Sequence, residues 1–127
     1  MLRSGVGLVG LLLVLVAVSP AAADRPGSSH HGRYRFCMAE SSGCGDRFVG
    51  GDLPAARFED RSGRRARVRV CVRDRRGTRC LRSRRPGRSG VLAQSIAYRM
   101  AGTHVTTWRV RGEVVGRWRW RVVPEPE

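Results

Sequence analysis

Apolar and polar residues alternate with a period of two along several stretches of the chain, the pattern of strands with one face buried. Tyr34, Phe36 and Met38 interleave with Arg33, Arg35 and Cys37, and Val68, Val70 and Val72 interleave with Arg67, Arg69, Cys71 and Arg73. His104, Thr106, Trp108 and Val110 alternate with Val105, Thr107 and Arg109. After a turn at Arg111-Gly112-Glu113, Trp118, Trp120 and Val122 alternate with Arg117, Arg119 and Arg121. The last two runs predict a β-hairpin that ends at Pro124, because proline cannot donate to a ladder.

Between these runs the chain is rich in turn residues. Glu40 to Gly51 holds four glycines with serines and acids, and reads as a loop from which Phe48 and Val49 dip inward. Ala55 to Phe58 is a short extended piece, and Ser62-Gly63 turns the chain. Asp74 to Gly77 is a second turn, from which Thr78 to Leu81 returns along the strand 66–73. Arg82 to Gly90, with four Arg, two Ser, two Gly and Pro86, cannot bury itself and is expected to be an exposed loop. Val91 to Met100 suits either helix or strand, and strand is preferred because β patterns flank it and Gly90 and Gly102 bound it. The fold class expected is all-β, an immunoglobulin-like β-sandwich of six or seven short strands over residues 33–123. A polar, flexible leader, 24–32, precedes it, and an acidic tail, 124–127, follows.

The first 23 residues read as a signal peptide: Arg3, an apolar run of 13 residues from Val6 to Val18, and Ala21-Ala22-Ala23 as a cleavage site. The run falls short of the roughly 20 residues that span a bilayer, so cleavage before Asp24 and a secreted fate, extracellular or wall-associated, are expected. Taking 23 residues from 127 leaves 104, one domain with a modest core. The four cysteines, Cys37, Cys44, Cys71 and Cys80, then read as two disulfides. Three pairings are possible. Cys37 with Cys44 and Cys71 with Cys80 are favoured, since each pair brackets a stretch that a hairpin closes. No CxxC or HxxxH spacing suggests zinc.

Ala101-Gly102-Thr103-His104-Val105-Thr106-Thr107-Trp108-Arg109-Val110, followed by Gly116-Arg117-Trp118-Arg119-Trp120-Arg121-Val122, resembles the closing hairpin of small exported bacterial immunoglobulin-like domains, among them CopC-like copper-resistance domains and small secreted actinobacterial proteins without assigned activity. The resemblance implies that Trp108, Trp118 and Trp120 fill the space between two sheets, with Gly102 and Gly116 at turns. It does not carry copper over. Those domains use a histidine at the mature N-terminus and Asp-Gly-His in the last hairpin, whereas this chain has Asp24 and Arg111-Gly112-Glu113. The pair His30 and His31 stands in the leader, and neither a metal nor a cofactor is expected.

Charge changes the picture most. All 25 basic residues are arginine, against 10 acids. A GC-rich coding sequence accounts for the choice of arginine but not for its placement. Residues 24–60 hold five Arg against six acids, residues 61–88 hold 13 Arg against Asp74 alone, and residues 89–127 hold six Arg against three acids. Guanidinium groups are not buried unpaired, so the arginines of the alternating strands face outward. With Arg75, Arg76, Arg79, Arg82, Arg84, Arg85 and Arg88 as the candidate anion-binding residues, the chain reads as a secreted, non-enzymatic module for anionic envelope polymers or acidic partners. No recognition helix or exposed aromatic set points to sequence-specific nucleic-acid reading. No nucleophile, zinc or phosphate-loop motif is present. Two alternatives are a peptidase inhibitor using the loop Arg82–Gly90 and a small ribonuclease using His104, Glu113 and nearby arginines.

Overall fold

The computed structural model describes residues 25–126 and, before them, only Gly5, Gly7 and Gly10. The expected signal peptide otherwise lies outside the described residues, as do Asp24 and Glu127. The described residues contain no helix, and none of their elements is long and apolar enough to cross a membrane as a helix. They form ten strands: β1 (Gly27–Ser29), β2 (Tyr34–Glu40), β3 (Gly43–Cys44), β4 (Arg47–Val49), β5 (Ala55–Asp60), β6 (Val68–Asp74), β7 (Gly77–Cys80), β8 (Val91–Ser95), β9 (Gly102–Val110) and β10 (Glu113–Val123). Seven have four residues or more, which matches the expected number. The other three have two or three residues, too short for alternation to reveal.

One sheet runs β1-β2-β5-β8, with β3 also on β2, and the second runs β4-β10-β9-β6-β7. Nearly all the pairings are antiparallel. The exception is β4, which lies parallel to the end of β10. Between the sheets, Tyr34, Phe36, Met38, Phe58 and Leu92 of the first meet Val68, Val70, Val72, Trp108, Trp120 and Val122 of the second. This two-layer, all-β arrangement is compatible with the immunoglobulin-like sandwich. Trp108 and Trp120 are buried as expected, with the Phe36 ring 5.2 Å from Trp108 and the Phe48 ring 5.7 Å from Trp120. Trp118 is only partly buried, at the margin, where its Nε1–H donates to the Gly45 carbonyl at 2.8 Å.

The Trp120 Nε1–H donates to Thr106 Oγ1 at 2.8 Å, and that hydroxyl donates to Met38 Sδ at 3.2 Å, a polar thread from one sheet to the other. Both disulfides form as expected, Cys37–Cys44 and Cys71–Cys80. Cys71 and Cys80 are direct register partners in the β6–β7 hairpin.

Several expectations need correction. The leader is not wholly irregular, because β1 pairs with β2. Gly27 permits this, since a Cβ there would come within 2.4 Å of the Phe36 ring. Gly116 is not at a turn either. It stands beside a bulge between Val114 and Gly116, and a Cβ would approach the other side of the same ring to 2.6 Å. Phe36 thus fits into space that two glycines leave open. Val49 is 38% exposed, because Phe48 faces inward and its strand neighbours must face out. The strand expected over 91–100 ends at Ser95, after which Ile96 is held by its N–H donating to the Pro54 carbonyl at 2.9 Å.

Asp60 organises the segment that leads into β6. Its buried carboxylate accepts from the Ser62 hydroxyl at 2.6 Å, the Ser62 amide at 3.0 Å, Arg33 Nε at 3.4 Å and the Ala66 amide at 3.3 Å. Burial works against the charged form, but these hydrogen bonds outweigh it and hold the carboxyl below the ordinary carboxylate range.

Two outcomes are expected from this packing. Gly116→Ala forces its methyl into the Phe36 ring, and chemical denaturation will show a loss of about 1–3 kcal/mol. Because the folded Asp60 pKa is depressed, its contribution is complete above the ordinary carboxylate pKa of about 4 and disappears as pH falls through the lower folded value. Ser62→Ala is therefore expected to cost about 1 kcal/mol at pH 7 and less at pH 3, and equal losses at the two pH values would mean that Ser62 does not act through the carboxylate.

Candidate functional site

The outer face of the second sheet is what its core packing leaves behind. Burial of Val68, Val70 and Val72 turns Arg69, Cys71 and Arg73 of β6 outward. Burial of His104, Thr106 and Trp108 does the same for Thr103, Val105, Thr107 and Arg109 of β9. Burial of Trp120 and Val122 turns Arg117, Arg119 and Arg121 of β10 outward, and Arg47 of β4 joins them beside buried Phe48.

Register decides how these cations meet. Arg69 stands directly opposite Arg109, and Arg121 opposite Arg47. Like charges in such positions oppose folding. The first sheet differs, since its outward Arg35 stands opposite Glu59. Among the described residues the arginine–acid pairs are Arg33–Asp60 and Arg61–Glu59, and the other close basic–acidic contacts are those of His30 with Glu113 and His104 with Asp74, so no arginine on the outer face of the second sheet has an acid within 4.0 Å.

At the Arg69–Arg109 end the face opens into a cleft of about 530 Å³, lined by Arg64, Arg65, Arg67, Arg69, Arg85, Arg109 and Arg111, without an acid in the lining. Several elements converge here. The Asp60-pinned segment before β6 delivers Arg64, Arg65 and Arg67, strands β6 and β9 deliver Arg69 and Arg109, the β9–β10 turn delivers Arg111, and the loop after β7 delivers Arg85. Two of these residues have left-handed backbone, Arg65 with φ 47° and Arg111 with φ 55°. Arg111 and Gly112, φ 79°, form the two-residue turn of the hairpin, a position usually filled by Asn or Gly. Arginine there costs conformational energy and adds a cation to the cleft.

The seven arginines singled out from the sequence are dispersed. Arg85 lines the cleft. Arg75 and Arg76 lie at the β6–β7 turn, where Asp74 accepts from the Arg76 amide at 2.7 Å. Arg79 is half-buried and its Nη2 donates to the Ala97 carbonyl. Arg84 is exposed but its backbone pairs with Val68 in both directions, at 2.7 and 3.0 Å. Arg82 is exposed beside it, and its carbonyl accepts from Gln94 Nε2 at 3.4 Å. Arg88 borders a separate depression shared with Glu59 and Asp60.

The residues suggested for a ribonuclease are not brought together. His104 is fully buried, stacked on Trp120 at 4.4 Å with its Nδ1–H donating to the Gly102 carbonyl at 3.0 Å. Glu113 lies at the opposite end of the hairpin, about 20 Å away along the strand. The loop 82–90 is largely exposed as expected, but Arg84 has no free backbone groups to pair with a peptidase. His30 and His31 occupy the turn after β1, with His30 Nε2 3.8 Å from Glu113 Oε1.

No protein-family model matches this sequence, and no curated protein matches it. Among solved structures, the chain is similar to the Pseudomonas fluorescens alkylpurine DNA glycosylase AlkC bound to DNA containing an abasic site analog, with 13% identity and a TM-score of 0.41 over 61% of this chain. The likeness spans 27% of the glycosylase, and at that score it carries no argument about fold or activity.

Proposed function

We propose that this is a secreted, non-enzymatic binding module that holds an anionic polymer of the cell envelope against the outer face of its second sheet. The observation that carries this reading is the register: Arg69 faces Arg109 with no acid near, at the mouth of a cleft lined by seven arginines. An anion placed there would relieve the repulsion between cations that the fold holds side by side. The planar guanidinium suits phosphate and carboxylate oxygens alike, two parallel hydrogen bonds to each. Export is supported by the N-terminal sequence and by two disulfides, which persist in oxidising compartments.

The site is assembled from three segments of chain, so its test differs from a test of the arginine-dense loop. Replacing Arg69, Arg109 and Arg117 together by Ser is expected to lower the salt concentration of elution from heparin much more than the same change at Arg75, Arg76 and Arg88. Equal reductions would show that only net charge matters and would count against a site. Arg111→Asn separates stability from binding. It relaxes the turn and is expected to raise stability by about 1 kcal/mol, while it weakens heparin retention. A variant that gains stability and keeps full retention removes Arg111 from the site.

A further inference from the structure

The anion-binding reading leaves the ligand's chemistry open, and the central strand of the face narrows it. Along β9 the outward side chains are short, Thr103, Val105 and Thr107, until Arg109. The strands on either side carry arginine. Register places Arg119 and Arg73 on opposite sides of Val105, and Arg117 beside Thr107 with Cys71 opposite. Strands two apart are separated by about 10 Å, so β9 is the floor of a trough with guanidinium groups on both banks. A depression lined by Arg73, Val105, Thr107, Arg109 and Arg117 marks its middle, and at Arg109 it runs into the arginine cleft. At the other end Asp46 joins Arg119 and Arg121 and limits the basic stretch. From Thr103 to Arg109 the floor is about 20 Å long.

These dimensions select a ligand. A spacing of about 10 Å lets both banks reach one chain lying on the floor, whereas a duplex is wider than its major groove of about 12 Å and would rest across the banks. The floor has no aromatic side chain on which a base can stack, because the aromatic residues of this sheet face the core or its margin. Neighbouring strands twist by roughly 20–25°, so the banks are not parallel and a ligand must bend to follow them.

We propose that the trough over β9 seats a single flexible chain of polyol units joined by phosphodiesters, with a phosphate held between Arg119 and Arg73 and the chain continuing into the Arg69–Arg109 cleft. The proposal rests on the anion-binding function above, and its experiment separates the two. Fluorescent poly(glycerol phosphate) fragments of graded length, a polyuronate and a DNA duplex are titrated at one ionic strength against the native protein, Val105→Phe, Thr107→Phe and the Ser triple variant at Arg69, Arg109 and Arg117. Circular dichroism and thermal midpoints establish that each is folded. Affinity is expected to rise with fragment length up to a span of about 20 Å and then level off. Either floor variant is expected to lose about tenfold or more for the long fragments, as for loss of a charge-assisted contact, with unchanged retention on a sulfonate cation-exchange resin. If floor variants bind like the native protein while the Ser triple variant is weakened, the trough is wrong and the anion-binding face survives. If neither class is weakened, both readings fail. Tighter binding of the polyuronate or the duplex overturns the ligand assignment.

Discussion

Trp108 and Trp120 can be buried only if the residues on either side of each face away from the core, and the rest of the molecule follows from that constraint. On β9 and β10 the immediate neighbours of these indoles include Arg109, Arg119 and Arg121, and on β6 the same alternation sets Val68, Val70 and Val72 against Arg69 and Arg73. A slip of one residue would exchange the faces, exposing two indoles and burying guanidinium groups that cannot shed their charge. The core and the cation face are therefore a single choice of register. Thr106 ties that register to the other sheet, since it accepts the Trp120 N–H and donates to Met38 in β2.

A domain of this size gains limited stability from its core, and the structure adds constraints where the sheets are narrowest. Cys37–Cys44 fastens β3 to β2, and Cys71–Cys80 closes the β6–β7 hairpin at the edge of the second sheet. Gly27 and Gly116 act differently, by absence. Each leaves room for one side of the Phe36 ring, which then lies 5.2 Å from Trp108. Asp60 does the same for the connection into β6, accepting three hydrogen bonds from the turn that carries Arg64 and Arg65 to the cleft and a fourth from Arg33.

The long strands were legible because alternation is a local property. Strands β6, β9 and β10, the hairpin turns and the pairing of cysteines could all be read from neighbouring residues. The short strands β1, β3 and β4 could not, because two or three residues give no period and their pairing depends on what passes beside them. Val49 was missed for a related reason: it ends a three-residue strand whose inward position Phe48 already takes. The site was the least legible part. Linear charge density pointed to residues 75–88, whereas the face is built from strands far apart in sequence that become neighbours because β9 lies between β6 and β10. Only the strand order makes Arg69 the partner of Arg109, and nothing in the spacing of residues encodes it. The outward direction of Arg67, Arg69, Arg73, Arg117, Arg119 and Arg121 was available from alternation, and it was the better guide.

The separation of the banks reconciles a cation-rich face with a stable fold. At physiological ionic strength charges are screened over about 8 Å, and at 1 M salt over about 3 Å. Strands two apart are about 10 Å apart, so the β6 and β10 arginines lie beyond one screening length and their mutual repulsion is weak, while a ligand on the floor sits within reach of both. The face thus repels itself less than it attracts a guest, provided the guest lies over β9. Arginines two apart on β10, Arg117, Arg119 and Arg121, stand about 7 Å apart and fall inside the screening length, as do the directly opposed pairs, Arg69–Arg109 and Arg121–Arg47. Of the two opposed pairs, the first opens onto a cleft without acids, and the second has Asp46 at its side. Arg69–Arg109 is therefore the one whose repulsion nothing nearby offsets, and the other arginines of the cleft add to it until an anion binds.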